Sequence, residues 1–379
     1  MSVNSQSIVL QTNTSAKDKL AQEWGWVLEN QSKKTLAGLL KKAELSGDIA
    51  TGTMNAKRFA NAEAKDYGTA RTAGAAEKIK ALNVAIPIDD HKEWLEEVEE
   101  LDIRTYGVDG IIEKRTQNQS SSINRYFDRR FFYKGFLAGS IETLTETDTE
   151  KMAEELIQKL QSLENDFVDG VDREKMALIL NVSTYGKLRE KIDSFQNANV
   201  DTAVGEFGMF HGVMVYSSHR LPDTVDMMIM VAGESIAQPI GPRIYAPQAI
   251  EFSKATAFGA FTDSSTTVVA SDLIKIVGTI GAVVATSADA GEANKTDITV
   301  TSTKSSPANE FWYKAHATEV AAPAYGIDAD DNDWTKMVLD SDNQQELTLT
   351  SEDKIRIAEV DESGRIIKTS AQIDVVKGD

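Results

Sequence analysis

Residues 49–88 read IATGTMNAKRFANAEAKDYGTARTAGAAEKIKALNVAIPI, and this stretch lies between two segments with helical patterns. It is built mainly from small and polar residues. Up to residue 80 it carries six basic side chains and three acidic ones, a net charge of about +3. A segment with so few large apolar side chains cannot build a core of its own. Because the closing run VAIPI (84–88) alternates like a strand, we predict an extended excursion that packs on another surface.

The composition of the whole chain narrows the class of protein. A length of 379 residues predicts two or three domains, and 41% hydrophobic residues are enough for a normal core. The absence of cysteine excludes disulfides, thiolate metal sites and a cysteine nucleophile. We find neither a signal-peptide pattern nor an apolar run of about 18 residues, so no membrane partner is expected.

The charge balance bears on nucleic-acid binding. A net charge of −19 and a pI near 4.7 repel DNA at long range, which argues against a protein that reads DNA sequence. The same charge does not exclude a container that encloses DNA, because a container does not have to grip its contents.

Apolar periodicity predicts an α+β chain up to about residue 265. The predicted helices span 15–46, 89–100, about 109–137, 148–166 and 183–193. Short apolar runs at 176–182 and 227–233 predict buried strands, and alternation over 205–218 predicts a hairpin.

The remainder of the chain, 266–379, has a different character. From Ser264 onward it contains 20 acidic and 10 basic residues, and it alternates in runs such as Ile298-Thr299-Val300. Turn signals recur about every 8–12 residues, which is typical of a β-sandwich. The sequence ESGR (362–365) is predicted to form a hairpin turn. We therefore predict a separate all-β domain here.

No catalytic motif is found, so we predict neither an enzyme nor a cofactor. His211 and His219 are close in sequence, but two ordinary histidines are favoured over a metal pair. The best metal candidates are the carboxylates of the run DADDND, namely Asp328, Asp330, Asp331 and Asp333. An EF-hand loop needs Gly where Asp333 stands, so a solvated acidic loop is favoured.

The run RYFDRRFFYK (125–134) mixes aromatic and basic residues, a combination that can bind single-stranded nucleic acid. At helical spacing Phe127, Phe131 and Phe132 share one face, which favours a core role for them. Arg129 and Arg130 then point to solvent or to a neighbouring subunit. The predicted inter-subunit contact residues are Lys57, Arg58, Lys65, Arg71, Arg129 and Arg130.

The order of these parts resembles the major capsid proteins of tailed bacteriophages with the HK97-like fold. Residues 49–88 look like the E-loop of that family, and the helix at 109–137 looks like its spine helix. MALILNVSTYGKLREKI (176–192) looks like the start of an A-domain core, and AFGAFTD (257–263) looks like the final P-domain strand. The resemblance covers 49–263, more than half of the chain.

The resemblance implies a division of the chain and a function. The implied parts are an N-terminal arm or helix (1–48), the E-loop (49–88), a P-domain with the spine helix (89–147), an A-domain (148–255), a P-domain return strand (256–265) and an added immunoglobulin-like β-sandwich (266–379). The implied function is a structural capsid protein that is made in the host cytoplasm and ends in the virion. Its partners would be other copies of itself in hexamers and pentamers, together with scaffolding and portal proteins, and the shell would enclose double-stranded DNA.

Three alternatives remain open. An encapsulin-type compartment protein would share the fold, although the acidic β tail counts against it. The β-rich tail taken alone suggests a phage tail or surface adhesion protein. An uncharacterised hydrolase that uses serine and carboxylates is the third alternative.

Overall fold

The computed structural model of the protein describes residues 35–62, 79–98, 121–193, 208–249 and 255–378. The helices in this part of the chain are α1 (Leu36–Leu40), α2 (121–138), α3 (Thr149–Gln161) and α4 (Val182–Asp193). Among the described residues, no helix has both the length and the apolar composition needed to span a membrane.

The strands form several separate sheets. Up to residue 278 they are β1 (Ser46–Asp48), β2 (Thr53–Phe59), β3 (Ala81–Pro87), β4 (Asp90–Val98), β5 (Ser140–Ile141), β6 (Glu164–Asn165), β7 (Val168–Asp169), β8 (Met176–Leu180), β9 (Met209–Phe210), β10 (Val213–Ser217), β11 (Val225–Val231), β12 (Ile236–Ala237), β13 (Ile240–Ala249), β14 (Thr256–Ser264), β15 (Thr267–Val268) and β16 (Ile274–Gly278). They are followed by β17 (Gly281–Val283), β18 (Ala285–Asp289), β19 (Lys295–Val300), β20 (Glu310–His316), β21 (Thr335–Lys336), β22 (Gln344–Thr348), β23 (Lys354–Val360), β24 (Ile366–Ser370) and β25 (Ile373–Asp374).

A six-stranded sheet in the order β5-β16-β11-β8-β10-β9 lies at the centre of the first 278 residues. All five residues of β8 are buried, as the short apolar run predicts, because helices cover both faces of the sheet. Helix α2 packs its phenylalanines against Ala177 and Ile179 on one face. Helix α3 packs Leu156 and Leu160 against the other face. Each large side chain buried in these layers contributes about 1.5–3 kcal/mol to folding.

The predicted helix at 89–100 is wrong, because residues 90–98 form strand β4. This strand pairs along its whole length with β14, from Asp90↔Ser264 to Val98↔Thr256, in a three-stranded sheet with β13. The run is rich in good helix formers such as Glu and Lys, but propensity is a weak prior that tertiary pairing overrides. The buried carboxylate of Asp90 accepts hydrogen bonds from Tyr126 and Ser264, which fixes this end of the strand on α2.

The predicted helix at 15–46 also differs from the structure. Residues 15–34 lie outside the described residues, and α1 ends at Leu40. The tripeptide Ser46-Gly47-Asp48 does not end a helix but forms β1, which pairs with β2. Gly47 has φ +111°, a backbone conformation that other residues rarely adopt, so this glycine permits the distorted edge strand. The β2–β3 hairpin that follows is the predicted excursion.

The C-terminal residues form two sheets, in the orders β17-β24-β23-β20-β21 and β18-β19-β22, with β25 paired to β23. Their facing sides share one apolar core that includes Ile298, Phe311 and Ile357. Strand β16 (Ile274–Gly278) lies within 266–379 but belongs to the central sheet, where it pairs with β11. The first strand of the C-terminal sheets is therefore β17, at Gly281.

Candidate functional site: the contacts of the hairpin and the long helix

The end of helix α2 is held by the C-terminal sheets. Arg365, in the turn between β23 and β24, donates to the carbonyls of Phe136 at 2.7 Å and of Gly139 at 3.1 Å. Its guanidinium also lies 4.8 Å from the centre of the Phe136 ring. The last carbonyls of a helix have no partner within the helix, so Arg365 supplies donors that α2 lacks.

The carboxylate of Asp361 orients this arginine. The Asp361 side chain is 1% exposed and accepts a hydrogen bond from Arg365 Nε at 3.1 Å, and Nη2 of Arg365 lies 3.0 Å from the same carboxylate oxygen. Ser363, in the same turn, donates to the carbonyl of Leu137 at 3.1 Å. The sequence correctly predicts a turn at 362–365. In the structure this turn supplies the hydrogen-bond donors for the end of α2, about 230 residues earlier in the chain.

Apolar and aromatic contacts complete the junction. Ile367 of β24 is 3% exposed and belongs to the core between α2 and the central sheet. Tyr133 of α2 donates to Glu362 at 2.7 Å. Burial, together with the neighbouring Glu362 carboxylate, raises the pKa of Tyr133 to about 12. The C-terminal sheets therefore share a core with α2 and the central sheet and are not a loosely attached addition.

The middle of α2 holds helix α1. Asp128 is 1% exposed, accepts from the backbone N–H of Ala37 at 2.9 Å and forms an ion pair with Arg220. Burial raises the pKa of Asp128, although Ala37 and Arg220 both oppose the shift. Helix α2 thus joins the N-terminal segment, the central sheet and the C-terminal sheets.

The β2–β3 hairpin packs one face on the body of the protein. Ala56 and Ile86, both 0% exposed, contact Ala237 and Val269. Farther along β2, Arg58 donates two hydrogen bonds to Asp272, at 2.8 and 2.6 Å. Burial opposes ionisation of Asp272, but hydrogen bonds from Arg58 and Asn165 outweigh it and hold its pKa below the usual value.

The predicted inter-subunit residues therefore separate into groups. Arg58 pairs with Asp272 of its own chain, and its contact with a neighbouring subunit stays a prediction. Lys57 is exposed on the opposite face of β2. Arg129 is exposed, and Arg130 lies 3.4 Å from both Asp89 and Asp90. The two remaining candidates, Lys65 and Arg71, lie outside the described residues.

The acidic run 328–333 forms a turn. One Asp328 carboxylate oxygen accepts from the backbone N–H groups of Asp330 and Asp331, at 2.9 and 3.3 Å. A short 3₁₀ turn follows, and Asp333 has φ +57°. In the ranges that the structure describes, no three carboxylate or imidazole side chains are grouped in a way that would hold a metal ion. The geometry thus gives Asp328 a role in shaping the turn.

His211 lies at the tip of the predicted hairpin, which the pairing of β9 with β10 confirms. Its Nδ1 lies 2.7 Å from Glu154 of α3, and Arg173 reaches the same carboxylate at 2.7 Å. Burial raises the pKa of Glu154, but hydrogen bonds from Arg173, His211 and Gln158 outweigh it and lower the value to about 2. Glu154 therefore fastens the hairpin to helix α3.

This cluster predicts a pH dependence of stability. The folded pKa of Glu154, about 2, lies below the unfolded value of about 4.3, so its contribution is present above pH 4.3 and is lost as the pH falls towards 2. Chemical denaturation at pH 5 and at pH 2.5 measures this contribution. Between these two pH values the free energy of unfolding of Glu154→Gln should fall by about 1–2 kcal/mol less than that of wild type. An equal loss in the two proteins would contradict the assignment. Glu190→Gln, an exposed position on α4, is the matched control.

Sequence reasoning missed Arg365 and Asp272. Neither belongs to a motif, and each acts on a partner more than 200 residues away. The only available signal was the predicted turn at 362–365, which shows where Arg365 lies but not what it contacts.

No protein-family model matches the sequence, and no curated protein matches it. Among solved structures the chain is similar to one from Mycobacterium phage Che8, with 17% identity, a TM-score of 0.43 and coverage of 63% of this chain and 93% of that one. The capsid of the cyanophage P-SCSP1u has 11% identity, a TM-score of 0.47 and coverage of 63% and 86%. A virus-like particle from Pyrococcus furiosus has 13% identity, a TM-score of 0.45 and coverage of 69% and 98%. The protein is an α+β chain, with the solved structures named above as the ones to which it is similar.

Proposed function

We propose that this chain is a structural major capsid protein that assembles into the icosahedral head shell around phage DNA and has no catalytic role. The pairing of β14 with β4 supports this proposal most. Nine consecutive residue pairs join 256–264 to 90–98, and five of the six strands of the central sheet lie between these two segments in sequence. The resemblance requires such a return of the chain to the P-domain after the A-domain.

The strand pairing also supports a division into parts. We assign the arm to 1–48, the E-loop to 49–88, the P-domain to 89–147 with the return strand 256–265, and the A-domain to 148–255 together with β16. The immunoglobulin-like sandwich then begins at Gly281 and not at residue 266, because β16 is a strand of the central sheet.

The far end of the β2–β3 hairpin is proposed to contact a neighbouring subunit. Phe59, Ile79 and Leu82 are 59%, 85% and 46% exposed, although all three are large and apolar. Single exposed apolar residues are normal, but several on one hairpin support an interaction surface. Lys57 lies on the same outward face as Phe59, because residues two apart in a strand share a face.

The remaining partners follow from the same proposal. Copies of the chain form hexamers and pentamers, scaffolding and portal proteins join the assembly, and the finished shell encloses double-stranded DNA without reading its sequence. The protein is then located in the virion after synthesis in the host cytoplasm.

A hairpin replacement tests the proposal. The N–H of Ala60 donates to the carbonyl of Lys80 at 3.0 Å, so the two strands are adjacent there and a short linker can join them. Replacing 63–78 by Gly-Ser-Gly is expected to leave a folded chain, with unchanged circular dichroism, that forms no shells in electron microscopy. Wild type should elute from size-exclusion chromatography as capsomers or as megadalton particles.

The same linker in place of 341–343, an exposed turn before β22, is the matched control and should leave assembly intact. Normal shells from the 63–78 replacement would contradict the role of the hairpin. A wild-type chain that stays monomeric at high concentration would contradict the capsid function itself.

A further inference from the structure

A cleft of about 690 Å³ lies where helix α2, the loop 219–224 and the C-terminal loop 305–309 meet. Residues of α2 at 122, 125, 126, 129, 130, 133 and 136 line one wall, which is a continuous stripe at helical spacing. Ser305, Ser306 and Pro307 form part of the opposite wall. The cleft therefore exists because the C-terminal sheets dock on α2.

Five basic side chains line this cleft, and two of them are already compensated. Arg130 lies 3.4 Å from Asp89 and Asp90, and Arg220 pairs with the buried Asp128. The other three, Arg125, Arg129 and His219, are exposed, and the described part of the chain supplies none of them with an ion-pair partner.

The two arginines that have no ion-pair partner among the described residues work against helix stability. Arg125 and Arg129 are four residues apart on α2, where like charges repel and cost about 0.2–0.5 kcal/mol. Neither side chain is buried, so the core does not require them. The carboxylates in the lining are Asp361, which is bound to Arg365, and Asp223. The lining thus contains four arginines and two aspartates, in a chain whose net charge is −19.

We propose that this cleft receives an acidic segment of a second copy of this chain. Carboxylates suit the site chemically, because arginine forks bind them in bidentate pairs and the serine hydroxyls of the opposite wall add donors. A double helix, whose major groove alone is about 12 Å wide, is too large to enter a cavity of 690 Å³. The proposal rests on the capsid function, and it adds the chemistry of one contact between subunits.

The test compares Arg125→Glu/Arg129→Glu with wild type by sedimentation velocity of the purified full-length chain, in about 0.1 M salt and at higher salt. The variant is expected to unfold at the same temperature as wild type. At low salt it should associate only at about tenfold higher protein concentration, and its association should depend less on salt. The neutral variant Arg125→Gln/Arg129→Gln should fall between the two. Lys187→Glu, at an exposed position of α4, is the control and should associate like wild type.

Association of the glutamate variant at wild-type concentrations under all salt conditions would overturn the proposal while leaving the capsid function intact. A glutamate variant that associates like wild type but no longer retains a duplex DNA fragment that wild type retains would overturn the proposal in favour of a nucleic-acid contact. A wild-type chain that never associates would overturn both the cleft proposal and the capsid function.

Discussion

Arg365→Ala should lower the free energy of unfolding by about 3 kcal/mol. The substitution leaves the Asp361 carboxylate, which is 1% exposed, without its cation. It also removes the donors to the carbonyls of Phe136 and Gly139 at the end of α2. Loss of a buried charge partner is among the few single changes that cost this much, because the remaining charge stays away from water.

Chemical denaturation measures the loss, and amide hydrogen exchange locates it. Exchange should accelerate at Gly139, whose N–H donates to the carbonyl of Gly135 in the last turn of α2. Arg365→Lys keeps the charge but loses the fork geometry, so it should recover part of the stability. Arg129→Ala, at an exposed position of α2, should change stability by less than about 0.5 kcal/mol. A similar small effect at Arg365 would show that the turn does not hold the helix.

Glu359→Ala should also cost about 3–5 kcal/mol. Glu359 is completely buried on β23, and its Oε2 lies 3.1 Å from Nζ of Lys368 on the neighbouring strand. Its other oxygen accepts from the N–H of Ser305 at 2.5 Å and from the amide of Asn309 at 2.7 Å. Removing the carboxylate therefore leaves one cation and two donors without an acceptor.

The exposed ion pair between Lys295 and Glu346 provides a matched control. It also joins neighbouring strands of the C-terminal sheets, at 2.9 Å, but the Glu346 side chain is 47% exposed. Glu346→Ala should cost less than about 1 kcal/mol, because solvent screens such pairs. Thermal and urea unfolding of both variants test the difference. Equal losses in the free energy of unfolding would show that burial does not determine how much these ion pairs stabilise the fold.

The sequence predicted the parts of the fold whose signal is local. The apolar runs at 176–182 and 227–233 predict buried strands, and the structure has strands at Met176–Leu180 and Val225–Val231, because a short run of this kind is stable only when both its faces are covered. The phenylalanines at 127, 131 and 132 are buried, as their helical spacing predicts. The extended excursion that contains β2 and β3, which is poor in large apolar residues, and the all-β character of the C-terminal residues were likewise visible in composition and alternation.

Only the tertiary structure decided features that depend on partners far away in sequence. Residues 90–98 have the composition of a helix but form a strand, because β14 supplies backbone hydrogen bonds along its length. Strand β16 belongs to the central sheet, because it pairs with β11. The C-terminal sheets therefore begin at Gly281 and not at residue 266. The partners of Arg58 and Arg365 were not predictable, because a charged side chain does not specify which distant acid or carbonyl the fold brings within 3 Å.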